Sequence, residues 1–114
     1  NDEIGLILQI ESREALDDLD AICRVPGVDA VFIGPSDLAA SLGHRGNAGH
    51  PDVQAAIAKA FKTANAAGKA AGVLAADGKA EIYFEGGATL VGVGTDLHLL
   101  IAGADSVAAR FRLA

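Results

Sequence analysis

Gln9 and Glu11 close the apolar run "IGLILQIE", and Asp37 follows the second apolar run "DAVFIG" after Pro35-Ser36. In a strand, side chains alternate, so Gln9 and Glu11 share one face with Ile7 a layer below. Leu6, Leu8 and Ile10 take the other face, which suits packing against helices. Adjacent parallel strands run about 4.8 Å apart, so Glu11 and Asp37 can converge on one point. Two ionised carboxylates that close repel each other. A hard divalent cation such as Mg²⁺ relieves that repulsion and keeps positions open for water and substrate. An acid just past a strand is also a common helix N-cap, and Asp37 before "LAASL" fits that description too. Spacing alone leaves both readings open.

The elements that must position these groups follow from periodicity. Residues 4–10 read as a strand, and Ser12 as the N-cap of a helix with Ala15, Leu16, Leu19 and Ile22 at helical spacing. Pro26-Gly27 end that helix. A second strand spans 29–34, and a Gly- and Asn-containing loop, "GHRGNAGH", spans 43–50. Pro51 and Asp52 open a helix with Val53, Ala56, Ile57, Ala60 and Phe61 as its apolar stripe. Gly68 closes it, and 70–75 form a third strand. Asp77 caps a helix to about Glu85, stopped by Gly86-Gly87. A fourth strand spans 89–94. Thr95 or Asp96 opens a final helix carrying Leu99, Leu100, Ala104, Val107, Ala108 and Phe111.

The order βαβαβαβα implies parallel strands with right-handed crossovers. The strands are nearly all apolar, as expected of a parallel sheet. The fold class is therefore α/β. Four βα units are half of the eight that close a (β/α)₈ TIM barrel. A doubly wound four-stranded domain is the alternative. A half-barrel exposes two unpaired strand edges, which another copy or the other half should cover.

Composition limits the function classes. Of 114 residues, 51% are hydrophobic and 21% charged, which excludes disorder. A net charge of −6 argues against a nucleic-acid surface. No apolar run has the length of a membrane span, and no signal peptide is evident. The lone cysteine, Cys23, cannot form an internal disulfide, so a reducing cytoplasm is expected. The chain has no Met, so it is expected to be processed or a piece of something longer.

The stretches "LQIESREALDDLDAI", "GVDAVFIGPSDLAASLGHRGNAGHPDVQAAI" and "LVGVGTDLHLL" resemble the HpcH/HpaI aldolases, class II pyruvate aldolases of the 4-hydroxy-2-oxoheptanedioate and 2-dehydro-3-deoxyglucarate type. The resemblance covers essentially all of residues 1–114 but only the C-terminal half of the family's (β/α)₈ barrel. It implies that Glu11 and Asp37 bind Mg²⁺, Mn²⁺ or Co²⁺. It also implies that Gln9 contacts the keto-acid and that the backbone around Gly34, Pro35 and Ser36 cradles the pyruvate carboxylate. A short helix starting at Ser36-Asp37 would offer free N–H groups to that anion. The implied reaction is reversible cleavage of 4-hydroxy-2-oxo acids to pyruvate and an aldehyde through a metal-stabilised enolate. No Schiff-base lysine is needed, and Lys59, Lys62, Lys69 and Lys79 all fall on helices, at helix ends or just before a strand.

The resemblance further implies a catalytic Arg and His from the N-terminal half, so the lone chain is expected to be weakly active or inactive. Arg13, Arg24, Arg110 and Arg112 sit on helices or near their ends. His44 and Arg45 lie on the long loop after the second strand, and His50 is better placed to start the following helix. His98 is a helix residue near the surface. "GVGTDL" lacks the GxGxxG pattern, which argues against dinucleotide binding. In the family the last helix packs on a neighbouring subunit, so a homo-oligomer or association with the missing N-terminal half is expected. Two other functions stay open: a citryl/malyl-CoA lyase, and a non-catalytic half-barrel that self-associates through its edges.

Overall fold

The structure, a computed structural model, describes residues 3–75, 78 and 80–112. Among these, four strands form one parallel sheet: β1 (Ile7–Ile10), β2 (Ala30–Ile33), β3 (Ala70–Leu74) and β4 (Leu90–Gly92), in spatial order β1-β2-β3-β4. The helices are α1 (Arg13–Asp17), α2 (Leu19–Arg24), α3 (Pro35–Ser41), α4 (Pro51–Ala66), α5 (Ala80–Glu85) and α6 (Asp96–Phe111). The strand order equals the chain order, so each crossover moves one strand along the sheet, as in a barrel.

The register places Leu8, Val31 and Ala71 in one row, and Ile10, Ile33 and Val73 in the next row on the same face. Helices cover this face: α4 packs on β2 and β3, α5 packs on β4, and α2 and α3 pack on α4. Val53, Ile57, Ala60, Phe61 and Ala64 are the buried stripe of α4. Ile10, Ile33 and Val73 are consequently no more than 1% exposed. On the opposite face Ile7 is 52% and Leu90 37% exposed. A doubly wound domain would bury both faces; this sheet buries one, which is the arrangement of four units of a barrel wall.

Several sequence-derived boundaries shift. β1 starts at Ile7 rather than residue 4, because its only neighbour, β2, starts at Ala30 and gives residues 4–6 no ladder partner. Leu6 is instead tied to Asp29, whose carboxylate accepts from the Leu6 N–H at 2.7 Å, and is 44% exposed rather than packed under helices. Ser12 does cap α1, accepting from the Ala15 N–H at 3.2 Å. The expected single helix breaks at Asp18 (φ −91°, ψ 4°), within the acid run Asp17, Asp18 and Asp20, where helix propensity is low. Gly27 (φ +91°) supplies the left-handed turn into β2. Cys23 is buried in the core, and burial, with Asp20 nearby, pushes its thiol up, so it is an inert packing group. The expected α5 cap, Asp77, and Lys79 lie outside the described residues.

Candidate functional site

Glu11 stands immediately after β1 and is half-buried. Gln9, two residues back on the same face, donates from Nε2 to Glu11 Oε2 at 2.6 Å. The β1–β2 register pairs Gln9 with Phe32, which carries Glu11 level with Gly34. Gly34 is buried, and its N–H donates to the Ile10 carbonyl at 3.2 Å. A Cβ at position 34 would stand 3.2 Å from both Gln9 Nε2 and Glu11 Oε2. Glycine is thus what lets the chain turn past the carboxylate without filling the space beside it. Gln9, Glu11 and Gly34 are brought together.

The chain enters α3 directly from Gly34, which is its N-cap. Pro35 is the buried first residue of the helix, while Ser36 and Asp37 are exposed in its first turn. The helix therefore begins one residue earlier than Ser36, with Pro in the position where its missing N–H costs nothing. Asp37 does not cap it: the cap residue is Gly34, and among the described residues no hydrogen bond or ion pair involves the Asp37 side chain. That removes the simplest non-catalytic role for this acid. By helix geometry Asp37 lies about 4.5 Å along the axis from Gly34.

The expected cradle of N–H groups around Gly34, Pro35 and Ser36 has fewer free donors than its span. The Gly34 N–H is engaged, Pro35 has none, and the Leu38 N–H donates to the Gly34 carbonyl at 2.9 Å. Ser36 and Asp37 supply the free donors of this turn.

Phe32 packs below these groups, which the sequence alone does not mark. It lies in the inner face one layer below Glu11, and its ring spreads over the neighbouring strands: a Cβ on Gly72 would meet Phe32 Cδ2 at 2.6 Å, and one on Gly92 would meet Phe32 Cζ at 3.5 Å. The available signal was a glycine inside an apolar strand, which marks a close approach. Among the loop residues, His50 caps α4, its Nδ1 accepting from the Asp52 N–H at 3.2 Å, as its place before Pro51 implied. His98 is exposed in the first turn of α6, with Nδ1 2.8 Å from Thr95 Oγ1.

Residues 1–103 match the HpcH/HpaI aldolase/citrate lyase family, and the chain belongs to that family. It is 52% identical over 113 residues to a hydroxypyruvate/pyruvate aldolase of Cupriavidus necator, covering 98% of this chain and 42% of that protein. It is 49% identical over 113 residues to a 5-keto-4-deoxy-D-glucarate aldolase of Escherichia coli, covering 98% of this chain and 44% of that protein. The solved structure of an HpcH/HpaI aldolase/citrate lyase family protein from Burkholderia cenocepacia superposes with a TM-score of 0.89 at 37% identity, over 98% of this chain and 44% of that one. The chain thus spans under half the length of the relatives it matches, and its four units correspond to half of a (β/α)₈ barrel.

Proposed function

We propose that residues 1–114 are the C-terminal half-barrel of a class II pyruvate-type aldolase and carry its metal-binding side. The parent enzyme reversibly cleaves 4-hydroxy-2-oxo acids to pyruvate and an aldehyde. The observation that carries this reading is the cluster of Gln9, Glu11 and Gly34 at the carboxyl end of adjacent strands, with Asp37, free of any capping role, in the first turn of α3. The names of the relatives, aldolases at 49–52% identity, support the reaction class.

Two carboxylates from consecutive units form a donor set suited to a hard ion, so Glu11 and Asp37 would hold Mg²⁺, Mn²⁺ or Co²⁺. When bound, such an ion supplies the positive charge that offsets the anion formed as the carbon–carbon bond breaks. Gln9 fixes one oxygen of Glu11 and keeps a second amide hydrogen for the keto-acid. The bare Gly34 leaves room beside both, and the Ser36 and Asp37 N–H groups bind the substrate carboxylate. The acid–base groups come from the other half-barrel. Its docking, or that of further copies, covers the β1 and β4 edges. The setting is cytoplasmic; among the described residues no helix is long and apolar enough to cross a membrane.

The test is reconstitution. The 114-residue chain alone is expected to give little or no retro-aldol turnover; adding the N-terminal half of a relative and Mn²⁺ is expected to restore it. In that complex, Glu11→Gln and Asp37→Asn should each lower kcat/KM by about 10²–10³-fold. Full turnover in either variant refutes the assignment.

A further inference from the structure

The loop joining α3 to α4 holds a second cluster of ligand-type side chains, away from the carboxylate pair. His44 and His50 stack with ring centroids 3.5 Å apart and planes 13° apart. His44 Nε2 stands 3.3 Å from Asp52 Oδ2, and His50 Nδ1 stands 3.8 Å from the same oxygen. One donor atom from each of the three residues lies within 4.8 Å of the other two. Around a tetrahedral ion with nitrogen and oxygen ligands at about 2.0–2.1 Å, ligand atoms sit about 3.3–3.4 Å apart. The two nitrogen–oxygen distances, 3.3 and 3.8 Å, are near that edge length; to aim both in-plane lone pairs at one ion the stacked rings must turn about their Cβ–Cγ bonds.

Helix capping accounts for His50 and Asp52, but not for His44. His44 makes no bond to the first turn of α4 other than its contact with Asp52, yet the loop holds it half-buried against His50. His44 and Asp52 also line a cleft of about 290 Å³, together with Arg13, Lys59, Leu16 and Ala56. None of Gln9, Glu11, Gly34 or Asp37 lines it. An ion held by the cluster would keep one position facing this cleft, where Arg13 and Lys59 would favour an anionic ligand while opposing a free cation.

We propose that His44, His50 and Asp52 form a second metal site, for a borderline divalent ion such as Zn²⁺, with its remaining position open to the cleft. Two imidazoles and one carboxylate favour such an ion over Mg²⁺, which prefers all-oxygen sites. Occupancy would exchange the His50 bond to the Asp52 N–H for a metal bond and clamp loop 43–50 onto α4. The site does not depend on the aldolase reading, since the two donor sets share no residue.

Calorimetric titration of the chain with Zn²⁺, and the visible spectrum of its Co²⁺ adduct, test this. The Glu11→Gln/Asp37→Asn double variant should retain one Zn²⁺ site and the intense visible bands of a tetrahedral Co²⁺ centre. His44→Ala, which leaves the His50 cap in place, should weaken Zn²⁺ by at least about 10-fold and abolish those bands while the far-ultraviolet dichroism stays unchanged. Zn²⁺ affinity equal in parent and His44→Ala overturns the proposal. So does loss of Zn²⁺ binding in the double variant alone, or a parent Kd weaker than about 1 mM.

Discussion

The outer face of the sheet and helix α6 are both rich in apolar residues, yet they meet opposite fates. Ile10, Ile33 and Val73 vanish into the helix-covered core, whereas α6 buries none of its residues. Its Leu99, Leu100 and Phe111 are 70–74% exposed. The Cα radius of gyration, 16.5 Å, exceeds the roughly 13 Å of a compact domain of about 100 residues, as a projecting helix requires. Helix α4 has the same length, 16 residues, but gains its stability from packing. Helix α6 has its N-cap at Thr95 and intrinsic propensity, which leave a lone helix of this length marginal in water. One sequence pattern thus meets two fates: in α4 the apolar stripe closes this chain's own core, and in α6 it stays exposed.

That contrast can be broken by mutation. Phe61 is 2% exposed and meets Tyr83 edge-on at 6.3 Å, so Phe61→Ala should cost about 3–5 kcal/mol in denaturant unfolding. Phe111→Ala, at a 74% exposed position, should change the same midpoint by no more than about 0.5 kcal/mol. Similar losses from the two would mean that α6 is packed in solution. The inner face is sharpened by Gly72→Ala, whose new methyl would meet Phe32 at 2.6 Å and the Val31 carbonyl at 3.1 Å. Overpacking of this kind should cost about 1–3 kcal/mol, read from the thermal midpoint.

A smaller effect than at either buried position is expected at the start of α1. Ser12→Ala removes the bond to the Ala15 N–H and should cost about 0.5–2 kcal/mol. Glu14 gives this region a pH signature: hydrogen bonds from its own backbone N–H and from the Ser12 hydroxyl, aided by Arg13, hold its carboxyl below the usual range. A lowered folded value stabilises above the ordinary carboxylate pKa and is lost as pH falls through the folded one. In Ser12→Ala the Glu14 titration, followed by NMR, should move upward, narrowing that acid window.

The βα order, the Ser12 and Pro51 helix starts and the shared face of Gln9 and Glu11 were legible because each is a local matter of periodicity and capping. The true start of β1 was not, because a strand extends only as far as its neighbour, and where β2 begins depends on the turn at Gly27. The break at Asp18 needed the balance between acid repulsion and packing on α4. The role of Asp37 as a free side chain rather than a cap turned on the helix starting at Pro35, three residues before Leu38, which puts Asp37 inside the first turn. Phe32, and the stacking of His44 on His50, depend on register and loop closure that no one-dimensional pattern records.

The ring of Phe32 laid over Gly72 ties together two positions 40 residues apart in the chain. Neither can drift alone: a larger residue at 72 needs a smaller one at 32, and a smaller residue at 32 opens a hollow that 72 must fill. Lineages carrying this sheet should therefore show the two sites changing in concert, trading volume across the strands while the acid one layer above stays fixed.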